Sequence, residues 1–538
     1  ASVSTPPLHA PLLPPTPSPH QTSLFDLPCV NPAQIFLSIH YLPSSSLSVR
    51  PPPLLHHPLP SSLRSRNPET EDELAKDPTW APLPPVIQGL PKTDYIVIST
   101  TSLVSILIDC PRCAKGKNDL NFHTEGMAIS ATGKCNLCPR KFTWNNSSVL
   151  KTSREASTEK LKKINVDIVN GAVLTAIGAT VSSNYFMING LPTLSHSTFH
   201  RIKKNYTGPA ISEHFFTAQT AVIEAVKGKI AKGEKLHVSG DGSFDSRGYS
   251  AAWCRYFILD AQTGEALHYI LMHKTDTGSS STMEVAAFNQ GLMELSLMIG
   301  GSEHIASVVT DRHAAVTKMM REKYPGIGHY FDPGHFFRNI TLTLISITKP
   351  QYMKKVRGWV KVIINRCYDA VITAQGNGEI ASEKFRAILL CMTGQHTFDK
   401  TRDVHCKGGE TIQEARGAGT EVPKMHAIRK YIEVFTNRNI EDIKSVSWLL
   451  QTSPCESINA LAWRYASKDL YFTRAGHEMR TKLTIIHWNH LKKTAADGSR
   501  PVVKSNRNPT HKNVVWRKVR KPASHNWMED VKKLSYKV

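Results

Sequence analysis

An α/β fold is predicted from three observations. Between residues 235 and 345, apolar and amphipathic segments follow in the order β-β-β-α-β-α-β-α. Residues 346–450 are helical in pattern and lack strand alternation, and further helices follow at 451–490. Upstream, four cysteines fall into two C-x2-C pairs. Three adjacent antiparallel-type strands followed by helix–strand alternation is the ribonuclease H order, a mixed sheet flanked by helices. The expected architecture is a ribonuclease H-like mixed sheet with a helical insertion, preceded by a zinc ribbon and a helical segment, behind a disordered leader.

The leader is residues 1–90. It holds four Lys/Arg against six Asp/Glu, and 16 of the 33 prolines lie in the first 68 residues (PPLHAPLLPPTPSP, PPPLLHHPLPSSL). Proline at this density removes backbone donors and supports neither ladders nor helices. The n-region and h-region of a secretory signal are not expected here.

Residues 92–150 form the cysteine unit. Cys110-Pro-Arg-Cys113 is followed after 21 residues by Cys135-Asn-Leu-Cys138. Two-residue spacing places both sulfurs of a knuckle about 2.3 Å from one ion, and two knuckles close a tetrahedron. Four thiolates leave no open position, so a structural Zn²⁺ is expected at Cys110, Cys113, Cys135 and Cys138. His123, between the knuckles, is a weaker ligand candidate. The other six cysteines have no partner spacing, which suits a reducing compartment, nucleus or cytosol.

Residues 155–232 read as helical. A turn at Asn189-Gly190-Leu191-Pro192 precedes a capped, basic segment, Ser195–Lys204. Two helices about such a turn suit either helix-turn-helix DNA binding or an ordinary helical pair. The core follows at 233–345: KLHVSGDG, WCRYFILD, ALHYILMH, HIASVVTD and GHYFD as strands, with helices at 281–298, 313–323 and from His335. The insertion is 346–450 and the last core helices are 451–490. Residues 491–538 carry 13 Lys/Arg against three Asp/Glu, with Trp516 and Trp527 among them. That composition suggests a basic tail for phosphate contact and base stacking.

The whole chain has a formal net charge of +22, and all of the excess lies outside the leader. Such an excess suggests an anionic partner, most often nucleic acid. No apolar run reaches the roughly 18 residues a membrane span needs.

Asp241 closes the first strand and Asp311 the fourth. In the ribonuclease H order these strands are neighbours, so both carboxylates emerge at one sheet edge. Two carboxylates there repel unless a cation relieves them, and Mg²⁺ suits oxygen ligands. Asp245 and Asp260 compete for the first position. A third carboxylate from a later helix is needed; Glu456 competes with Glu433, Glu441 and Glu478.

The zinc ribbon, the helical segment, and then DGSFDSRGYS, TDRH, FDPGH and ESINALAWRY resemble eukaryotic cut-and-paste transposases of the Mutator-like and Kolobok-like kind. The likeness is nearest to a transposase-like domain common in uncharacterised animal proteins, and it covers roughly 95–490. It implies a DDE triad at Asp241, Asp311 and Glu456, with Mg²⁺ or Mn²⁺. It also implies supporting roles for Asp332 and His335, which match the family's Asp-x2-His signature. DNA cleavage and joining by two-metal phosphoryl transfer, a homo-oligomer and a nuclear location follow as expectations. The competing readings are a domesticated protein that binds DNA without cutting it, and a ribonuclease H-like nuclease. The proofreading exonuclease pattern Asp-x-Glu is disfavoured by Asp241-Gly242-Ser243.

Overall fold

In a computed structural model the described residues are 93–150, 161–247, 250–392, 397–399, 404–405, 425–468, 470–506 and 516–537. The leader 1–90 lies outside them, as does the middle of the insertion.

After a helix α1 (Thr100–Ile108), three antiparallel strands form a small sheet: β1 (Asn118–Glu125), β2 (Ala128–Cys135) and β3 (Lys141–Asn145). The β1–β2 turn is two residues long, and Gly126 takes φ +63°, which a left-handed turn position favours glycine for. Asn165 holds this turn, accepting from Met127 N–H (2.9 Å) and donating to Glu125 C=O (2.9 Å).

Asn165 belongs to α2 (Lys163–Leu174), the first of a helical run that continues with α3 (Ala179–Ile188), α4 (His196–Ile202), a π-helical turn at Lys203–Thr207 and α5 (Gly208–Ile230). Ser195 caps α4 as its sequence suggests, its Oγ accepting from Thr198 N–H at 3.2 Å.

The central sheet has five strands: β4 (Leu236–Phe244), β5 (Trp253–Asp260), β6 (Ala266–His273), β7 (Ile305–Thr310) and β8 (Gly328–Phe331). Their order across the sheet is β6-β5-β4-β7-β8. β5 runs antiparallel to β4 and β6, whereas β7 runs parallel to β4 and to β8. The crossovers are α6 (Ser280–Ile299) and α7 (Ala314–Lys323). Every residue of β5 is buried, because both faces of the sheet are covered. One face sends Cys254, Tyr256 and Ile258 against Met283, Ala287 and Phe288 of α6. The other sends Phe257 and Leu259 toward α5 and the C-terminal helices.

Beyond β8 the chain enters α8 (Pro333–Ile347), α9 (Trp359–Ala374) and α10 (Gly378–Met392). A short ribbon, β9 (Thr397–Asp399) with β10 (Val404–His405), then α11 (Met425–Ile432) and α12 (Asn437–Asp442) follow. The insertion is therefore mainly helical, with a small ribbon its pattern does not announce. It has its own aromatic core, including Phe336, Phe337, Trp359 and Phe385. The chain returns to the sheet through α13 (Ser453–Tyr465) and α14 (Arg474–Ala496). A hairpin, β11 (Val502–Asn506) and β12 (Trp516–Arg520), leads to α15 (Asn526–Ser535). Among the described residues no single helix is long and apolar enough to cross a membrane.

The C-terminal segment corrects the tail reading at Trp527, which is only 4% exposed and packs in the core with Val531. Trp527 and Val531 lie four residues apart on α15, so they share the face turned to the core while Lys533 faces out. Trp527 is packing, not a stacking platform for bases.

Candidate functional site

Among the described residues one group of side chains has metal-ligand spacing, the cysteine quartet; the carboxylates of the central sheet are linked instead through other side chains. In the ribbon, the sulfurs of Cys110, Cys113, Cys135 and Cys138 all lie within 4.8 Å of one another. Cys110–Cys138 and Cys113–Cys135 are each 3.7 Å apart. The first knuckle turns tightly: Lys115 N–H bonds Cys113 C=O at 2.7 Å, and Ala114 sits at φ +54°. Gly116 lets the second pair approach, since a Cβ there would lie 2.4 Å from Cys135 Sγ. The donor set and its closure suit zinc, and these four cysteines could hold it. His123 is exposed on β1 and stands outside the group.

The second group lies at the C-terminal edge of β4 and β7. Asp241 sits on β4 between two glycines that the packing requires. A Cβ at Gly240 would meet the Tyr256 hydroxyl at 2.6 Å, and one at Gly242 would meet Glu284 Cγ at 3.0 Å. Three contacts dock α13 along the same strand. Cys455 Sγ donates to Ser239 Oγ (3.4 Å), Asn459 Nδ2 to Asp241 Oδ2 (2.9 Å), and Trp463 Nε1 to Ser243 Oγ (2.9 Å). Four helical residues rise about 6 Å and two strand residues about 6.6 Å, so the two repeats stay in step.

Glu456 is on this helix, one turn before Asn459, and His335 joins it to Asp311. His335 Nδ1 lies 2.8 Å from Asp311 Oδ1, and its Nε2 lies 3.0 Å from Glu456 Oε1. Both contacts are ion-pair distances that favour the imidazolium form of the ring, and the Nδ1 contact lacks hydrogen-bond geometry. Asp311 and Asp332 raise its pKa to about 10. Asp332 is itself a brace. Its Oδ2 caps α8 by accepting from His335 N–H (2.8 Å), and its Oδ1 accepts from Thr452 N–H (2.7 Å) at the start of α13. Burial pushes the Asp332 carboxyl up, but the bonds from His335 and Thr452 outweigh it and hold the pKa below its ordinary value.

Burial, and then the charges of Asp311 and Glu284, raise Asp241 to about 7. Glu284 is likewise raised to about 7, by burial and by Asp311. Sequence reasoning missed Glu284. Its signal is an acid on the buried stripe of α6, one turn before Ala287 and Phe288. Asn459 was missed as well, because its role depends on β4.

The competing acids are accounted for elsewhere. Asp260 closes the β5–β6 turn, its Oδ1 accepting from Gln262 N–H at 2.8 Å. Asp245 accepts from Ala252 N–H at 3.0 Å across the β4–β5 connection. Glu433, Glu441 and Glu478 pair with Lys430, Lys444 and Lys482 at 2.6–2.9 Å. The structure thus gathers Asp241, Asp311, Glu456, Asp332 and His335 at one sheet edge, and leaves the rivals in turns and ion pairs.

No curated protein matches the chain. A family model described as Mutator-like transposase matches residues 95–407, from the ribbon through the sheet into the insertion. Asp241, Asp311, Asp332 and His335 fall inside that span and Glu456 beyond it. With more than half of the chain matched, the protein belongs to the Mutator-like transposase family.

Proposed function

We propose that this protein is a DNA transposase, or derives from one, and that it cuts and joins DNA at a DDE triad of Asp241, Asp311 and Glu456. The observation that carries this reading is the double tie at the sheet edge. His335 bridges Asp311 and Glu456, while Asn459 of the same helix holds Asp241. The strand order β6-β5-β4-β7-β8, with its mixed directions, supports a ribonuclease H-like fold.

The chemistry of the donor set, carboxylate oxygens, is that of hard divalent cations, although the three carboxylates do not stand at ligand spacing from one another. Burial and the charge of Asp311 raise Asp241 and Glu284 to about 7. When bound at Asp241, Asp311 and Glu456, Mg²⁺ or Mn²⁺ would supply an activated water and stabilise charge on the phosphate. The chain's own residues do the positioning. His335 holds protons at Nδ1 and Nε2 that orient two carboxylates, Asn459 orients the third, and Asp332 fixes the start of both helices that carry them.

Zinc in the cysteine quartet would hold the ribbon together. The ribbon, α2–α4 and the basic C-terminal segment would contact DNA, in a nuclear homo-oligomer. The test is nicking of DNA carrying the element's ends, with Mg²⁺ or Mn²⁺. Asp241→Asn should lower the cleavage rate about a thousandfold and leave DNA affinity intact or higher, since a negative charge near phosphate is removed. An unchanged rate refutes the assignment. Wild-type protein that binds such DNA without cutting it supports the domesticated reading instead.

A further inference from the structure

Beside the carboxylate edge, on the same face of the sheet, lies a small recess that opens to solvent. It is lined by Ser243, Trp253, Arg255, Trp463, Lys468 and His477, among others. Arg255 is opposite Ser243 on β4, two residue pairs beyond the Phe257–Asp241 pair. The recess is therefore about 6–7 Å along the strand from Asp241.

Arg255 is only 6% exposed; its guanidinium faces the Phe257 ring, with Cζ 5.7 Å from the ring centre, but its enclosed Nε has no hydrogen-bond partner and, among the described residues, no carboxylate forms an ion pair with it. A second buried donor without a partner, Trp253 Nε1, belongs to the same lining. The carboxylate whose charge reaches Arg255 is Asp245, and its Oδ1 is engaged by Ala252 N–H. Lys468 adds a second cation, its Nζ lying 4.1 Å from the Trp463 ring centre. An unpaired buried charge is among the costliest features a fold can carry, and an anion seated against it removes that cost.

We propose that this recess is a phosphate-binding site, and that its occupant is a backbone phosphate of the DNA strand lying across the Asp241 edge. Arg255 supplies a planar fork for two phosphate oxygens, Lys468 a point charge at the mouth, and Trp253 an indole N–H. The aromatic walls of Trp253 and Trp463 flank the adjoining sugar or base. Held there, the strand is fixed at a second point, two residue pairs from the proposed cutting site. The strand assignment rests on the DNA reading above; the phosphate chemistry does not.

The experiment titrates the full-length protein with inorganic phosphate and with a short single-stranded oligonucleotide. Melting temperature and competition between the two probes are read for the wild type, Arg255→Leu and Lys468→Ala. Both probes should stabilise the wild type, and phosphate should displace the oligonucleotide. Arg255→Leu should weaken phosphate binding about tenfold or more, and Lys468→Ala severalfold. Lys468 is not part of the core, so its variant reports even if Arg255→Leu folds poorly. Phosphate affinity unchanged in Lys468→Ala and in a folded Arg255→Leu overturns the site. Arg255-dependent phosphate binding with no oligonucleotide binding keeps the anion chemistry, overturns the strand assignment and sinks the DNA reading separately.

Discussion

The cysteine quartet gathers ligands 28 residues apart at most, on two knuckles of one small sheet. The carboxylate edge draws together residues more than 200 positions apart, from two strands and two helices, and needs Asn459 and His335 to hold them. The first group is closed and has no position for a reacting molecule. The second keeps its charges near neutrality by partial protonation and by an imidazolium, so its charge state responds to what binds. Local assembly suits a staple, whereas dispersed assembly suits a site whose electrostatics change during use.

The largest effect expected from this contrast is at the ribbon. Cys135→Ser should abolish stoichiometric zinc and unfold residues 97–150, a loss on the order of 10 kcal/mol of metal-coupled folding energy. Elemental analysis and protease mapping would read it. The contrast breaks if that variant melts the five-stranded sheet at the same time. Asp332→Ala comes next. It strands two backbone N–H groups and should cost about 2–4 kcal/mol in chemical denaturation, metal or no metal. A change under about 0.5 kcal/mol would remove Asp332 as a brace.

A pH effect of about 2 kcal/mol is expected at the edge of the metal-free protein. Asp241 and Glu284 have folded pKa values near 7, above ordinary values of 3.8 and 4.5. Their contribution is full below about pH 4 and is lost as pH rises through 7. Melting temperature should fall across that range, Mg²⁺ should restore it most above pH 7, and Asp241→Asn should flatten the slope. An unchanged slope in Asp241→Asn would assign the titration elsewhere. The smallest effect is at His335, whose pKa is raised by its pairs with Asp311 and Asp332. Its contribution is present below pH 6.5 and lost through about pH 10. Solvent reaches the ring, so His335→Ala should cost only about 1 kcal/mol at pH 6 and less above pH 10, by calorimetry at both values.

Much of this was legible in the amino-acid order. The apolar runs WCRYFILD and HIASVVTD mark buried strands, and C-x2-C pairs mark a knuckle, because those signals are local. The docking of α13 is not local. Cys455, Asn459 and Trp463 share no chemical type, and only their partners on β4 reveal them as one stripe. Glu284 and Arg255 look like ordinary charges until the sheet buries them. Trp527 was misread because lysines around it dominate the composition, although its spacing to Val531 is helical.

The stepped contact between α13 and β4, with the Asp332 bond to Thr452, has a consequence for how such chains diversify. Glu456 is located by what its helix touches and not by the path the chain takes to reach it. The stretch between α8 and α13 is then an excursion whose ends are pinned independently of its length. Loop-closure entropy grows only logarithmically, so that excursion can be shortened, enlarged or exchanged while the docking of α13 on β4 stays put. The insertion is thus a place where a lineage can acquire new contacts without moving the residues at the sheet edge.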